Sequence, residues 1–346
     1  MLKNFARKCL YACGALGLYH RLRNADSLTV VMFHRTLRPD DPRWGACDPD
    51  YTLSDDLFRR SIAFFARHYT VVSLAQVLRA RREGGALPPR SLLITFDDGW
   101  LDNVDYALPA LRAADLPAVM FVAADAVGAR QPFYQERIIG AWRRGALDVP
   151  TLADAVGETA KGEGLPAIRR LIAALEAMTP DERARRLQPL ATALDDGLRH
   201  MVDIADLHAL RAGGVELGLH GKRHLHITRA VDPDEELGGA RDAMAAMLDR
   251  SLDTSLDASE GTASIACATM SFPHGAYDDA VAARARETGY ELLFTSVPVL
   301  NPVKGGPSWL LGRTGYETDT VADVQGRFHP ERLAWYLFRR ETRRLA

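Results

Sequence analysis

Short apolar runs that end abruptly in polar residues restrict this sequence more than any other feature. LTVVMF (28–33), TVVSL (70–74), SLLITF (91–96), PAVMFVA (117–123), VELGL (215–219), ATMSF (268–272) and YELLFTS (290–296) recur along the chain. Amphipathic stretches such as 56–68, 74–83 and 278–289 lie between them. Runs without polar alternation read as strands buried on both faces, the condition of a parallel sheet covered by helices. About seven such units favour a closed barrel over an open doubly wound sheet. The expected fold class is therefore α/β, a distorted (β/α) barrel of about seven strands.

One segment breaks this rhythm. Residues 129–200 show no convincing strand and read as helices rich in Ala, Leu and Arg, hung on the barrel as an insertion. Thr179-Pro180-Asp181-Glu182 is a strong helix start, with a capping hydroxyl, proline in the first turn and two acids beside it. The polar stretch 251–264 reads as a surface loop.

Composition narrows the classes of partner. The 346 residues carry 43 Lys+Arg against 45 Asp+Glu, a formal net charge of −2, which argues against nucleic acid as a partner. Four cysteines, Cys9, Cys13, Cys47 and Cys267, are too few and too scattered for a disulfide framework. Basic residues cluster at both ends: Lys3, Arg7, Lys8, Arg21 and Arg23 precede the first acid, Asp26, and Arg339, Arg340, Arg343 and Arg344 close the chain. The apolar stretch 9–19 is shorter than the ~20 residues of a spanning helix. It reads as an amphipathic helix docked on the protein's own body or, through residues 1–23, as a peripheral membrane contact. Localisation is expected to be cytoplasmic or peripheral on a membrane, with export a remaining alternative.

In parallel β/α folds, ligands gather where strands end. SLLITF runs into Asp97-Asp98-Gly99, VELGL into His220-Gly221-Lys222-Arg223-His224, LTVVMF into His34, and ATMSF into Pro273-His274-Gly275. Taken singly these are weak signals. Five Asp-Asp pairs occur (40–41, 55–56, 97–98, 195–196, 278–279), an HxxxH spacing is common on helices, and a lone histidine is often a core residue. Only Asp97-Asp98 follows a buried strand, where adjacent carboxylates are costly without a cation. Their coincidence at strand ends suits a metal site with an acid/base pair.

The motifs resemble those of the NodB-like polysaccharide deacetylases, carbohydrate esterase family 4. Thr95-Phe96-Asp97-Asp98-Gly99 is similar to their first motif and His220 to His224 to their H-x-x-x-H second motif. SFPHGAYDDAV with ARETGYELLFTS resembles the segment that follows. MFHRTL is similar to the strand of an exopolysaccharide-biosynthesis branch in which the catalytic histidine is N-terminal. The resemblance runs from about 28 to 315, apart from the insertion. With the charge pattern and the break in strand rhythm, it gives an N-terminal basic amphipathic segment (1–25) and an expected deacetylase barrel (26–346) with the helical insertion 129–200.

The resemblance also implies roles. One divalent metal ion, zinc by ligand type, would be held by Asp98, His220 and His224. Asp97 would be the general base, His34 the general acid, and Pro273 and His274 would lie at the substrate and oxyanion side. The substrate would be an acetylated polysaccharide or oligosaccharide, losing an N-acetyl group by hydrolysis.

Two departures from the family pattern bear on the site. The third motif, R-x-P-Y/F-G in the family, is Ser271-Phe272-Pro273-His274-Gly275 here, so the arginine that orients the base is missing. Arg313 in LLGRTG is its candidate replacement from another strand, or else a structural arginine. The C-terminal histidine motif is also missing, since the only later histidine, His329, lies in a polar FHPER context, which places the acid role on His34. His226 is an extra ligand or a surface residue. The rival readings are an O-acetyl esterase, a catalytically silent glycan-binding barrel and a non-haem iron oxygenase. A zincin protease fits poorly, because Gly221 stands where its helix needs glutamate.

Overall fold

The computed structural model describes residues 2–249 and 265–346. The loop expected at 251–264 lies outside the described residues. Twelve strands occur among those described: β1 (Ser27–Phe33), β2 (Arg35–Leu37), β3 (Thr52–Ser54), β4 (Thr70–Val71), β5 (Ser91–Phe96), β6 (Ala118–Val122), β7 (Val215–Leu219), β8 (Thr269–Ser271), β9 (Leu292–Phe294), β10 (Asn301–Pro302), β11 (Leu310–Leu311) and β12 (Thr314–Gly315).

The sheet runs β1-β5-β6-β7-β8-β9-β11, every neighbour parallel. The far side of β1 pairs antiparallel with β10 at its start and parallel with β12 at its end. β11 and β12 belong to one stretch, 310–315, so a single piece of chain joins β9 to β1 and almost closes the barrel. TVVSL supplies only the short β4, beside β5. Its last residue, Leu74, opens a helix, Leu74–Glu83, whose start is fixed by a capping box between Ser73 and Gln76.

Side-chain alternation separates two cores. Leu28 and Val30 of β1, Leu93 of β5, Val119 and Phe121 of β6, and Leu292 and Phe294 of β9 share one buried cluster. Leu74, Val77 and Leu78 join that cluster, so the helix Leu74–Glu83 plugs the lower end of the barrel. Glu216 of β7 accepts hydrogen bonds from the first backbone amides of that helix, Leu74 and Ala75. The alternate strand residues Val31, Ile94, Met120 and Leu293 belong to the second cluster, which includes the covering helices.

Between β6 and β7 the chain forms helices Tyr134–Arg143, Val149–Val156, Gly164–Glu176, Pro180–Leu187 and Ala191–Leu194. These helices have an apolar cluster of their own, with Ile138, Leu152, Ile168 and Leu175 at its centre. Thr179 caps the Pro180–Leu187 helix by accepting from the Glu182 amide.

Helices Leu2–Ala12 and Ala15–Arg23 pack on the helix Pro330–Phe338. The His20 ring stacks on Phe338 with centroids 4.0 Å apart and planes 9° from parallel. Phe5, Leu18 and Leu22 of the two N-terminal helices remain exposed. No described helix is long and apolar enough to cross a membrane.

Candidate active site

The first motif extends the inward face of β5. With a period of two, Leu93, Thr95 and Asp97 point the same way, and Asp97 is the first carboxylate above the apolar interior. The backbone then turns sharply, with φ 78° at Asp98 and 93° at Gly99. A left-handed aspartate is strained by about 1–3 kcal/mol, a cost characteristic of functional turns. Gly99 is required there, since a Cβ would lie 2.5 Å from Val122 Cγ1. The turn sends the two adjacent carboxylates to different partners.

Asp98 faces two imidazoles. Its Oδ1 is 3.3 Å from His220 Nε2 and 3.2 Å from His224 Nε2. His220 comes from the end of β7 and donates Nδ1–H to the Ser271 carbonyl at 2.9 Å, which leaves Nε2 as a bare lone pair turned toward Asp98. Asp98 Oδ2 accepts from Trp100 Nε1 at 2.9 Å, whereas Oδ1 is buried without a hydrogen-bond partner. All three ligand atoms lie within 4.8 Å of one another. A divalent ion fits these donors. It would satisfy the orphaned oxygen, and the outer hydrogen bonds orient carboxylate and ring as metal-site partners do.

The electrostatics agree. Burial opposes ionisation of Asp98, yet His224 and His220 hold its carboxyl well below the usual range. Burial likewise opposes a charged His220, but Asp97 and Asp98 push that ring above its ordinary value. The pocket thus favours positive charge.

Asp97 has a different partner. Arg313, fully buried between β11 and β12, donates NH1 to Asp97 Oδ1 and NH2 to Oδ2, both at 2.7 Å. Its Nε donates to the Thr295 carbonyl at 3.1 Å and its NH2 also to Ser271 Oγ at 2.6 Å. Burial alone would raise the Asp97 pKa, but Arg313, with His220, holds it below the usual carboxylate range. A fork-shaped guanidinium fixes both charge and orientation.

His34 follows β1 and lines the same cleft, with its ring 4.9 Å from that of Tyr51 in an edge contact. Burial lowers its pKa, against the pull of Asp98 and Asp97. Pro273 and His274 form a tight turn after β8, with His274 at φ 57°. His274 Nε2 donates to the His224 carbonyl at 3.2 Å. His274 and Gly275 line the cleft, while Pro273 is buried and packs toward Gly221.

Other contributors carry no motif of their own. Trp100 holds Asp98, and Ser271 touches both His220 and Arg313. Arg35, next to His34, is buried between Asp102 and Glu136 and stacks over Trp100 at 4.3 Å. Through Glu136 it joins the barrel to the helices between β6 and β7. A buried arginine flanking a candidate site is a usable signal, but its partners lie 67 and 101 residues away.

The cleft over these residues has a volume of about 600 Å³. One wall is the barrel rim and the opposite wall comes from Phe133, Gln135, Arg169 and Glu176. Tyr51 and Tyr336 add aromatic faces, and Glu317 and Arg340 add charge.

Residues 84–157 match the polysaccharide deacetylase family. The matched stretch contains Asp97-Asp98-Gly99 and ends before the second motif. Among curated proteins, none matches the chain. Solved structures share its architecture. The Streptococcus pyogenes deacetylase PplD aligns over 90% of this chain and 98% of its own, with 14% identity and a TM-score of 0.51. IcaB from Ammonifex degensii aligns over 90% and 97%, with 16% identity and a TM-score of 0.53. A polysaccharide deacetylase from Bacillus cereus aligns over 90% and 69%, with 14% identity and a TM-score of 0.54. At these identities the shared property is the fold, a barrel found in deacetylases.

Proposed function

We propose that this chain is a metal-dependent glycan N-deacetylase acting on an exopolysaccharide or its precursor. The observation that carries the reading is the division of labour between adjacent carboxylates. Asp98 faces two imidazoles in a metal-ligand set, and Asp97 is clamped by Arg313 beside it. The matched family segment and the deacetylase barrel support the same chemistry. Acetate is bound in the PplD structure, and acetate is the acyl product expected here.

Asp98, His220 and His224 would hold the ion, with zinc favoured by two imidazoles and one carboxylate. When bound, such an ion polarises an acetyl oxygen and lowers the pKa of water. Asp97, kept ionised by Arg313, accepts the proton of the attacking water. The new C–O bond forms at the acetyl carbon and the C–N bond breaks. His34 delivers a proton to the departing nitrogen, which gives a free amine and acetate. An amide nitrogen leaves poorly without that proton, so the acid is more necessary for an N-acetyl than for an O-acetyl group. The aromatic and charged lining of the cleft suits a polar sugar chain.

The test is acetate release from N-acetylated and O-acetylated oligosaccharides, with Asp97→Asn as control. Acetate from N-acetylated substrates, lost in the variant with metal content unchanged, is the expected result. No acetate release from either substrate class, with binding retained, would make the chain a glycan-binding barrel instead. Release from O-acetylated substrates alone would make it an esterase.

A further inference from the structure

A second group of metal-type donors lies outside the proposed catalytic set. It consists of Glu176, His226 and His274, whose ligand atoms also lie within 4.8 Å of one another. The three come from separate parts of the chain. Glu176 is the last residue of the Gly164–Glu176 helix, His226 follows the second motif, and His274 sits in the turn after β8. A neighbouring cavity of about 150 Å³ is lined by all three.

His274 Nε2 is engaged by the His224 carbonyl, but hydrogen bonding does not account for His226 and Glu176. His226 Nε2 is buried without a hydrogen-bond partner and stands 3.9 Å from Glu176 Oε2. That separation is too long for a hydrogen bond. It is close to the ~3.4 Å spacing of two ligands on one ion with bonds of about 2.1 Å at a tetrahedral angle. The His226 and His274 rings stack, with centroids 4.1 Å apart and planes 9° from parallel, so binding one ion in the plane of both rings requires the exposed His274 ring to turn out of the stack. Glu176 also places a carboxylate at the negative end of its helix, an unfavourable position that a cation would reverse. Its other oxygen is reached only by a long contact, 3.4 Å, from Gln135 Nε2.

We infer that Glu176, His226 and His274 form a second site for a transition-metal dication that ties the wall helix Gly164–Glu176 to the barrel rim. Two imidazoles and one carboxylate select zinc, cobalt or nickel over magnesium or calcium. The donor set equals that of Asp98, His220 and His224, so one ion type can load both. The second site is the weaker, because His274 is exposed where Asp98 and His220 are buried. Its occupancy would hold the cleft at a fixed width beside the first site, since the His224 and His274 rings are only 4.4 Å apart.

The experiment counts zinc in the full-length protein by mass spectrometry after equilibration with excess ion and desalting. Two equivalents are expected in the wild type, one in Glu176→Gln/His226→Gln and one in Asp98→Ala. Glu176 and His226 are half-buried at the cleft edge, and a thermal melt of each metal-free variant checks folding independently. One equivalent in the wild type that survives Glu176→Gln/His226→Gln and is lost in Asp98→Ala overturns the second site and leaves the catalytic reading standing. One equivalent with the opposite pattern supports the second site and overturns the catalytic metal. Cobalt titration gives a separate readout: the visible absorbance of the wild type is expected to rise up to two equivalents, and a saturation point that Glu176→Gln/His226→Gln leaves unmoved overturns the inference.

Discussion

Arg313 and Asp97 are 216 residues apart in sequence and share two parallel hydrogen bonds of 2.7 Å inside the barrel. The carboxylate is thereby held ionised and aimed, the state a general base needs before water arrives. Three expectations follow from this pair and its surroundings, and a fourth from the packing of the N-terminal helices.

Replacing Arg313 by methionine removes the group that holds the Asp97 pKa down. Burial then raises that pKa, and the base is protonated at higher pH than before. The acid limb of kcat/KM should move upward in pH, and activity at pH ~7 should fall by about 10- to 100-fold. Arg313→Lys should restore part of the charge without the fork. A pH–rate profile of both variants checks this, and an unmoved acid limb removes Asp97 from the role of base.

Trp100→Phe deletes the indole N–H that engages Asp98 Oδ2 and keeps the ring. Losing such an outer partner typically costs 10- to 100-fold in metal affinity or activity. Competition with a chelator should show weaker ion binding while the Tm of the metal-free protein stays close to wild type. Unchanged affinity would mean that Oδ2 needs no orienting donor.

In the proposed mechanism His34 acts in its protonated form, and burial lowers its pKa below the ordinary imidazole value of 6.5. Rates therefore decline as pH rises through that lowered value, giving a basic limb on the acid side of 6.5. His34→Gln should abolish this limb and reduce kcat by about 10²- to 10⁴-fold on N-acetyl substrates, with less loss on O-acetyl ones. Equal losses on both substrates would detach His34 from leaving-group protonation.

His20 reports on acid stability. Burial pushes its pKa down to about 3, from an ordinary value of 6.5. Between those values the unfolded chain binds a proton that the folded chain refuses, so stability is lost as pH falls from about 6.5 toward 3. The N-terminal helices should yield first, because His20 lies between Phe338 and Tyr69. Hydrogen exchange should show protection at 15–23 falling faster than in β5 on acidification from pH ~7 to ~5. His20→Leu should remove the difference, and persistence of the difference would trace it to another group.

Much of the architecture was legible because burial and chemistry conflict in specific places. Asp97-Asp98 after the wholly buried SLLITF needs a partner to exist there, and the same holds for His220 after VELGL. Helix boundaries at Thr179-Pro180 and at Leu74–Glu83 follow from capping residues. TVVSL misleads, since β-branched residues suggest a longer strand than the Ser73/Gln76 cap permits. The last strand was harder to read, because Gly312-Arg313 interrupts its apolar pattern. Arg313 could be named as a candidate but not paired, since no local periodicity encodes a contact across the barrel. Trp100 and the Glu176, His226 and His274 cluster carry no motif. Their meaning depends on where the Trp100 indole points and where the helices after β6 come to rest.

The stretch 310–315 has a consequence for how the molecule is made. A chain still being synthesised holds Asp97 long before Arg313 emerges from the ribosome. Until then a carboxylate destined for the barrel interior has no counter-charge, and removing one partner of such a buried pair typically costs about 3–5 kcal/mol. The early strands therefore cannot settle alone with an ionised Asp97 inside. Completion of the barrel and the charging of the proposed base are therefore coupled, since a nascent fragment bearing both aspartates and both histidines lacks the counter-charge for Asp97 until the last strand arrives.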